Sequence, residues 1–560
     1  MSDRFPHASE SVSAVLVMLV LMGVVGCGGG SSHSNFVTPQ PGGPPAISSL
    51  STTSGVFGAS VQISGSNFGG KQGSSTVTFS GTDASIAKWS DSAIVAKVPS
   101  GASSGNVVVT VDGTASNAVN FNVVTLQTGT ILPSNFGFQC GPGDTADCEG
   151  SGQGIVVWPT TQAQPGLLRL HDAGTQWANM DKGGGQYDFT ELDQWLDKIA
   201  DHQPVEVSQV FTWVPCWDAP SPCTAPPTAP AGTSTAPGDL GPGGSPSFNA
   251  FVTAFVQHCN SNNHCVKDYI RYYEMWNEWD LSFHWSSCGT TPTDCMVALY
   301  NMVAPAAAII RSNVPNAVIL TPSTTKYSDT GLGYLTDFQN WLNYETNTGR
   351  ISDWVAWHAY LTNGDTMIFS PEEQWSNINA NYLTAQTNIP NWATVPWANT
   401  ETNFNGAPPP NGLNYTCPSS SSANPPTTFS PDDCTGMIVR WQLLHDSNGA
   451  AGVFWYKWNE TIGGNQQYET AYYYMMQYLA GGKFAGPCTF VAGGGVSTWT
   501  CSFKEASGTQ ALWVWTPNEA GTSFSVPSGY VDYLDLTGNK TSVTSGQSIT
   551  IGVMPIMLEQ

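Results

Sequence analysis

Charged residues are scarce in this sequence, and basic residues are the scarcest of them. Asp, Glu, Lys and Arg make up 10% of the 560 residues, and 17 Lys and Arg stand against 41 Asp and Glu, which gives a net charge of −24. Nucleic acids, anionic membrane surfaces and acidic polymers are bound through clustered basic residues. The composition therefore predicts no nucleic-acid partner and disfavours the other two. The alternative interpretation is that the acidity only keeps an exported protein soluble.

The N-terminal apolar run is too short for a membrane span. Ala14 to Val25 falls below the roughly 20 residues that a span needs, and it is typical of a signal-peptide core. The adjoining Val24-Val25-Gly26-Cys27 resembles a bacterial lipobox. We therefore predict a lipoprotein signal over 1–27, lipid attachment at Cys27 and anchoring at the bacterial cell envelope, on the outer membrane or cell surface. An ordinary cleaved signal with a chance cysteine, which would give a secreted protein, is the alternative.

The sequence contains no Cys-x-x-Cys pair, the spacing typical of structural zinc sites. Without Cys27, the 13 cysteines reduce to an even 12 in close sequential couples, which predicts local disulfides and an oxidising compartment. The sequence does not fix the connectivity. The simplest couples are Cys140 with Cys148, Cys216 with Cys223, Cys259 with Cys265, Cys288 with Cys295, Cys417 with Cys434, and Cys488 with Cys501. We predict no metal and no cofactor.

Two segments precede the main part of the chain. Residues 28–44 are rich in Gly, Ser and Pro and predict a linker. Over 45–124, short apolar or alternating runs are separated by turn-rich stretches, the pattern of a small β-sandwich. The turn Gly65-Ser66-Asn67-Phe68-Gly69, the pair Val98-Pro99 and the closing Asn120-Phe121-Asn122-Val123 resemble an IPT/TIG domain, an immunoglobulin-like module. The resemblance implies a spacer or a binding module.

Residues 128–482 alternate between apolar runs and amphipathic stretches, which predicts an α/β fold of the (β/α)8 barrel type. In the clearest helix, 188–202, Asp188 is expected to cap and Glu191 to complete a capping box. Residues 485–560 are strand-like again and predict a small C-terminal β domain. The eight barrel-strand candidates are 136–139, 167–171, 205–213, 271–276, 317–321, 354–360, 395–400 and 452–458.

Barrel active sites lie at the C-terminal ends of the strands, so carboxylates at those positions are the candidates for chemistry. The sequence has three Asn-Glu pairs. Asn277-Glu278 ends strand four, Asn459-Glu460 is interpreted as a rim loop after strand eight, and Asn518-Glu519 lies in the terminal β domain. The strand-end carboxylates are Asp172, Glu278, Asp280, Glu401 and Glu460.

Three stretches resemble clan A glycoside hydrolases, and family 39 most closely: Tyr273 to Glu278, Leu168 to Asp172, and Trp357 to Tyr360. That clan carries Asn-Glu at the end of strand four and a second Glu at the end of strand seven. The resemblance implies that Glu278 is the general acid/base and Glu401 the nucleophile of a retaining β-glycosidase. Trp279 stands where many relatives have proline, which leaves the substrate open: xylan-type polysaccharide first, β-glucan or β-mannan next.

The same resemblance implies supporting roles around this pair. Asn277 would hydrogen-bond the sugar 2-hydroxyl, Arg169 would orient Glu401, His358 and Tyr360 would line the site, and Trp455 would form the floor under the sugar. Arg169 as an ion-pair partner of Glu274 and Trp455 as plain barrel core are the alternatives. Whether Trp213, Trp217 and Trp285 line the cleft or pack loops is left open. We expect a monomer with a carbohydrate partner; a non-catalytic carbohydrate-binding or adhesive lipoprotein is the competing function.

Overall fold

The computed structural model describes residues 43–560 except for 127, 140–148, 151–155, 159–161, 221–222, 224–232, 242, 282–283, 286–291, 326–334, 364–366, 369, 404–428, 459–460, 464 and 494–495. Pro44 to Gln560 forms one compact unit. The predicted signal, Cys27 and most of the linker lie outside the described residues. So do Cys140, Cys148, Cys288, Cys417 and Glu460.

Residues 46–123 form a β-sandwich of two sheets, because apolar side chains alternate along the strands and meet in a shared core. Val61, Ile63 and Ile94 point inward from one sheet, and Val107 and Val109 from the other. The first sheet orders its strands as Ala46–Leu50, Ser60–Ser66, Ala93–Lys97 and Ile86–Trp89. The second contains Ser54–Gly55, Val119–Val123, Gly105–Val111, Thr76–Phe79, Thr82–Asp83 and Thr114–Ala115.

Within the described residues, eight parallel strands make the barrel, and each coincides with a predicted strand. They pair in chain order, and a bridge from Leu320 to Trp354 joins strand five to strand six and closes the cylinder. The predicted (β/α)8 barrel is thereby confirmed. Strands one to eight are Phe136–Gln139, Leu167–Leu170, Glu206–Val210, Tyr272–Glu274, Val318–Leu320, Val355–His358, Trp397–Thr402 and Ala450–Trp455.

Helices cover the outside of the barrel with their apolar faces. Thr190–Asp201 buries Leu192, Trp195, Leu196 and Ile199, as its periodicity predicts. The predicted Asp188 cap is wrong, because the N-cap is Phe189. Asp188 lies one residue before the N-cap and accepts a hydrogen bond from the Thr190 backbone N–H. The helices are Pro133–Asn135 (3-10), Trp177–Met180, Thr190–Asp201, Pro246–Gln257, Val266–Tyr269, Pro292–Asn313, Leu335–Thr348, Pro371–Gln374, Trp375–Asn379 (π), Ala380–Asn388, Pro431–Ser447 and Gln466–Leu479.

Short hairpins decorate the barrel: Glu149–Gly150 with Val156–Val157, Asp181–Gly183 with Gln186–Tyr187, Val214–Pro215 with Thr233–Ser234, and Thr362–Asn363 with Met367–Ile368. Thr293–Asn313 is the one described helix long and apolar enough to cross a membrane. It packs against the barrel through Leu299, Val303 and Ile310, which are fully buried.

The C-terminal residues form the predicted β domain. One sheet contains Lys483–Phe484, Thr489–Gly493, Val496–Lys504, Gln510–Trp515, Ile556–Glu559, Asp532–Leu534 and Lys540–Ser542, and Thr522–Ser525 pairs with Ser548–Ile551. This domain packs on the barrel helix Pro431–Ser447. The contact is closest at Gly436, which lies against the carbonyl group of Val553.

The N-terminal sandwich docks on the barrel helix Ala380–Asn388. Val56 N–H donates to Thr384 Oγ1 at 3.1 Å, and Ser60 N–H donates to Asn381 Oδ1 at 2.8 Å. These bonds satisfy two backbone N–H groups, one just after the strand Ser54–Gly55 and one at the start of the strand Ser60–Ser66, which would otherwise need water. The sandwich is therefore held against the barrel rather than carried on a free tether.

The sandwich also touches the C-terminal domain. The Phe57 and Trp499 rings lie 5.7 Å apart, and Phe490 N–H donates to Ser100 Oγ at 2.9 Å. All three folded parts of the chain thus contact one another within the single compact unit.

Three of the six predicted disulfides form among the described residues: Cys216–Cys223, Cys259–Cys265 and Cys488–Cys501. Cys295 and Cys434 are also disulfide-bonded. Their predicted partners, and the couple Cys140 with Cys148, lie outside the described residues, so those three pairings stay predictions.

The close contact at Gly436 predicts an inverted substitution effect. Alanine ordinarily stabilises a helix relative to glycine by about 1 kcal/mol. Here the added methyl group would come within 2.8 Å of the Val553 carbonyl carbon, so Gly436→Ala should instead lower stability by about 1–3 kcal/mol through overpacking. Thermal unfolding measures this. Gly486→Ala, where no atom lies within 4 Å of the added group, is the control. Equal melting temperatures for the two variants would contradict the tight contact.

Candidate active site

The two candidate catalytic carboxylates lie at the C-terminal end of the barrel. Glu401 is the fifth of the six residues of strand seven, and Glu278 lies four residues after the end of strand four. Their side chains are only 7% and 12% exposed. Glu278 has a backbone φ of 46°, a left-handed conformation that costs a residue with a Cβ about 1–3 kcal/mol. Such strain aims a side chain where regular strand geometry would not.

Arg169, the third residue of strand two, ties the strand ends together. Its Nε and Nη2 donate to the two oxygens of Glu274 at 3.0 and 2.8 Å, a bidentate pair. Nη1 donates to Glu401 Oε2 at 2.8 Å and also to Gln139 Oε1. Nη2 donates to Asn277 Oδ1 at 2.8 Å. Both predicted partners of Arg169, Glu274 and Glu401, are therefore bound at once.

Glu274 and Arg169 are a fully buried ion pair, with no exposed side-chain surface on either. Burial alone would raise the pKa of Glu274, but the charge of Arg169 and the bonds from Arg169 and His358 lower it to about 2. The pKa of Arg169 is raised above its usual value, because the attraction of Glu274 and Glu401 outweighs burial. Both groups are therefore charged throughout the physiological range of pH.

Glu401 is held by one donor on each oxygen. Arg169 binds Oε2, and the Tyr360 hydroxyl donates to Oε1. Burial and then the charge of Glu401 raise the pKa of Tyr360 well above its usual value, so the phenol keeps its proton. These two donors fix the carboxylate in one orientation.

His358 lies among three carboxylates. Its Nδ1 bonds Glu278 Oε1 at 2.7 Å and lies 3.7 Å from Glu401 Oε2, while Nε2 lies 3.8 Å from Glu274 Oε1. Burial opposes protonation, but the charge of Glu401 and the bonds to Glu274 and Glu278 raise the pKa of His358 to about 9. The ring is therefore an imidazolium at neutral pH, and it donates from Nδ1 to Glu278.

Glu278 is held ionised in this arrangement. His284 Nδ1 lies 3.2 Å from its Oε2, opposite His358 on Oε1. Burial raises the pKa of Glu278, but the contacts with His284 and His358 bring it well below its usual range. The proton of this part of the site is thus stored on the imidazole rather than on the carboxyl group.

The carboxylates of Glu278 and Glu401 are close. One oxygen of each, together with a ring nitrogen of His358, lie within 4.8 Å of one another. Among the described residues this is also the one group of donors near enough to share a metal ion. The guanidinium of Arg169, 2.8 Å from Glu401, opposes a second cation there.

The structure therefore brings most of the predicted site together. Glu278, Glu401, Asn277, Arg169, His358 and Tyr360 are joined in one network of hydrogen bonds. Of the other strand-end carboxylates, Asp280 accepts from the Thr325 backbone N–H and Asp172 from the Tyr456 hydroxyl at 3.1 Å.

The structure contradicts the predicted role of Trp455 as the floor under the sugar. It has no exposed surface, so it cannot present a ring face to a sugar, and the alternative role as barrel core is the one it fills. The next residue, Tyr456, takes the position near the site: its pKa is raised by burial and by the charges of Asp172, Glu401 and Glu278. The prediction chose the wrong one of two adjacent aromatic residues.

Three site residues were not predicted. Gln139 ends strand one, a polar residue at the position where barrel chemistry lies, and this signal was available in the sequence. Tyr456 follows strand eight in the same way. His284 lies in an irregular loop after Glu278, where no periodicity indicates its direction.

Removing the central cation should be costly. Arg169→Met would remove the cation that is hydrogen-bonded to the buried Glu274 and Glu401 and leave them only the His358 ring, 3.8 and 3.7 Å away. We expect a loss of about 3–5 kcal/mol in the free energy of unfolding. Arg271→Met is the matched control, because Arg271 is half-exposed in its pair with Glu206 and should contribute about 0–1 kcal/mol. Denaturant unfolding measures both. Similar losses in the two variants would contradict a special role for Arg169.

The raised pKa of His358 predicts a stability change at alkaline pH. A folded-state pKa of about 9 lies above the unfolded value of about 6.5, so the stabilisation is complete below the lower value and is lost as pH rises through the higher one. The melting temperature of the wild type should fall more steeply than that of His358→Gln between about pH 6.5 and 9. Parallel curves would mean that His358 is neutral in the folded protein.

Comparison with known proteins gives likenesses of fold and one family match. No curated protein sequence matches the chain. A family 39 glycoside hydrolase from the gut symbiont Bacteroides cellulosilyticus WH2 is 12% identical, with a TM-score of 0.47 over 92% of this chain and 99% of that one. A glucosidase from Croceicoccus marinus and the catalytic domain of the GH30 xylanase C from Talaromyces cellulolyticus are each 13% identical, with TM-scores of 0.43 and 0.42. Each covers 78% of this chain, and they are themselves covered to 97% and 98%.

At these identities and TM-scores, the three structures assign neither an activity nor a substrate to this chain. The family match is confined to the N-terminal sandwich. Residues 45–123 match the model described as IPT/TIG domain, and this part of the chain is an IPT/TIG domain.

Proposed function

We propose that the protein is a retaining glycoside hydrolase that cleaves β-glycosidic bonds by double displacement. The observation that carries the proposal is the separation of Glu278 and Glu401, whose nearest carboxylate oxygens lie within 4.8 Å. Retaining glycosidases hold their two carboxyl groups about 5–5.5 Å apart, whereas inverting enzymes leave about 6.5–9.5 Å for a water molecule. The spacing supports direct attack by one carboxylate on the sugar.

Glu401 is the nucleophile. It attacks the anomeric carbon as the bond from that carbon to the leaving oxygen breaks, and a covalent glycosyl ester forms. Arg169 and Tyr360 each donate to one of its two oxygens and keep the carboxylate oriented. Asn277, whose Oδ1 accepts from the same guanidinium as Glu401, bonds the sugar 2-hydroxyl.

Glu278 supplies the proton to the leaving oxygen. The free site stores that proton on His358, and the 2.7 Å bond from Nδ1 to Glu278 Oε1 is the route by which it reaches the carboxyl group. As the leaving oxygen becomes basic, Glu278 passes it this proton, which leaves Glu278 ionised and His358 neutral for the second step. In the second step Glu278 takes a proton from water, the water oxygen attacks the anomeric carbon, and Glu401 is released.

The substrate and the cellular location are extensions of this proposal. The low proportion of charged residues, 10% of the sequence, suits a neutral sugar, with xylan-type polysaccharide first and β-glucan or β-mannan next. The predicted lipid anchor at Cys27 would hold the enzyme at the cell envelope, and the oxidising compartment agrees with the disulfides.

Two variants test the roles of the pair. Glu401→Ala should abolish turnover of aryl glycosides, and azide should rescue it with formation of a glycosyl azide of inverted configuration. Glu278→Ala should slow substrates with poor leaving groups by about 10²–10⁴-fold and activated aryl glycosides far less. Steady-state kinetics and NMR of the products give both results.

Glu206→Ala is the control, because Glu206 begins strand three at the opposite end of the barrel. It should keep wild-type activity. Full activity in both catalytic-site variants, or inversion of configuration by the wild type, would overturn the proposal.

A further inference from the structure

Trp217 is unusual among the tryptophans of this protein. It is 46% exposed, and no other tryptophan in the described part of the chain is exposed. It lies in the loop that follows barrel strand three, so it stands at the same end of the barrel as Glu278 and Glu401. An exposed indole at this end of the barrel offers apolar surface to a ligand that reaches the carboxylates.

The ring is fixed in place from below. Its Nε1 donates to the Asp181 carbonyl oxygen at 3.0 Å. Gly183, with a φ of +83°, packs against the indole. A Cβ at this position would come within 3.0 Å of Trp217 Cδ2. Only glycine combines this φ with that clearance. The preceding residue, Cys216, is tied to Cys223, which restrains the loop further.

The loop leads outward from the catalytic carboxylate. Trp213, four residues before Trp217, packs edge-on against His284 with ring centroids 4.8 Å apart, and His284 lies 3.2 Å from Glu278. Trp213 is 5% exposed and Trp217 is 46% exposed. From Trp213 to Trp217 the loop therefore passes from a buried position beside His284 to an exposed one.

The surroundings of Trp217 distinguish among possible ligands. Its neighbours along the loop and beneath it include the buried acid Asp218 and the exposed Lys182, so the indole is an isolated aromatic surface within polar ones. A protein partner is usually recognised through a wider apolar patch. A pyranose offers the complementary shape, an apolar C–H face rimmed by hydroxyls that polar neighbours can bond.

We propose that Trp217 is a stacking platform for a sugar unit of the substrate chain other than the one whose glycosidic bond is cleaved. This inference rests on the proposed glycosidase function and deepens it. The substrate is an oligosaccharide or polysaccharide that occupies the cleft from the carboxylates to the rim, rather than a glycoside of a single sugar. Binding energy from the remote unit adds to the affinity for the chain and leaves the chemistry at Glu278 and Glu401 unaltered.

The test compares long and short substrates. Trp217→Ala should lower kcat/KM on the preferred polysaccharide among xylan, β-glucan and β-mannan by about 10- to 100-fold. On an aryl glycoside of one sugar, kcat/KM should change less than about twofold. Trp217→Phe keeps an aromatic face without the Nε1 hydrogen bond and should keep most of the activity on the polymer. Val531→Ala removes an equally exposed apolar side chain, 52% exposed, from the C-terminal domain and is the control.

The outcomes separate this inference from the proposed function. Equal losses on polymer and aryl glycoside would show that the indole only holds its loop and would overturn the inference. An unchanged kcat/KM on the polymer would overturn it as well. If the wild type hydrolyses no glycoside, the proposed function fails. Electrophoresis in native gels that contain each polysaccharide then tests sugar binding by Trp217. Retardation of the wild type but not of Trp217→Ala supports the stacking platform, and equal migration of the two proteins overturns it.

Discussion

The guanidinium of Arg169 is the interaction on which the catalytic end of the barrel depends. One buried cation binds side chains from strands one, four and seven, and the residue itself comes from strand two. Burial raises the pKa of Glu274, and the charge of Arg169 is the largest of the effects that lower it again. Burying a charged group has a large desolvation cost, and the cost is offset only when every donor and acceptor has a partner. The network therefore forms as a whole, and the orientation of Glu401 is a consequence of closing the barrel.

A second charge, on His358, determines where the site keeps its mobile proton. Glu274 behind the ring and Glu401 beside it stabilise the imidazolium, and Glu278 receives its hydrogen bond. The two candidate catalytic carboxylates thus differ in their partners: Glu401 faces a guanidinium and a phenol, whereas Glu278 faces two imidazoles. This difference in environment is what separates a nucleophile from an acid/base when the residues are chemically identical.

Much of this architecture could be predicted from the sequence, and the failures have physical causes. The eight barrel strands are short apolar runs between amphipathic helices, and strand order restricts the candidate carboxylates to a few strand ends. Trp455 was misassigned because inward and outward positions alternate, so an error of one residue moves a side chain from the cleft to the core. His284 lies in a loop, where direction depends on tertiary contacts. The Asp188 cap was wrong because the N-cap lies one residue later in the chain than the local pattern indicates.

Backbone N–H groups of the IPT/TIG domain donate to the barrel helix Ala380–Asn388. The domain therefore cannot be exchanged for another one without loss of these contacts. A chain shortened to begin at the barrel would expose Thr384 and Asn381 together with the apolar faces of Phe57's partner Trp499. If the barrel were transferred to another protein, or the sandwich replaced by a different binding module, the new neighbour would have to cover these same residues. Residue 123, where the IPT/TIG match ends, is thus not the border of a compact unit, and a replacement domain would need backbone donors that match Thr384 and Asn381.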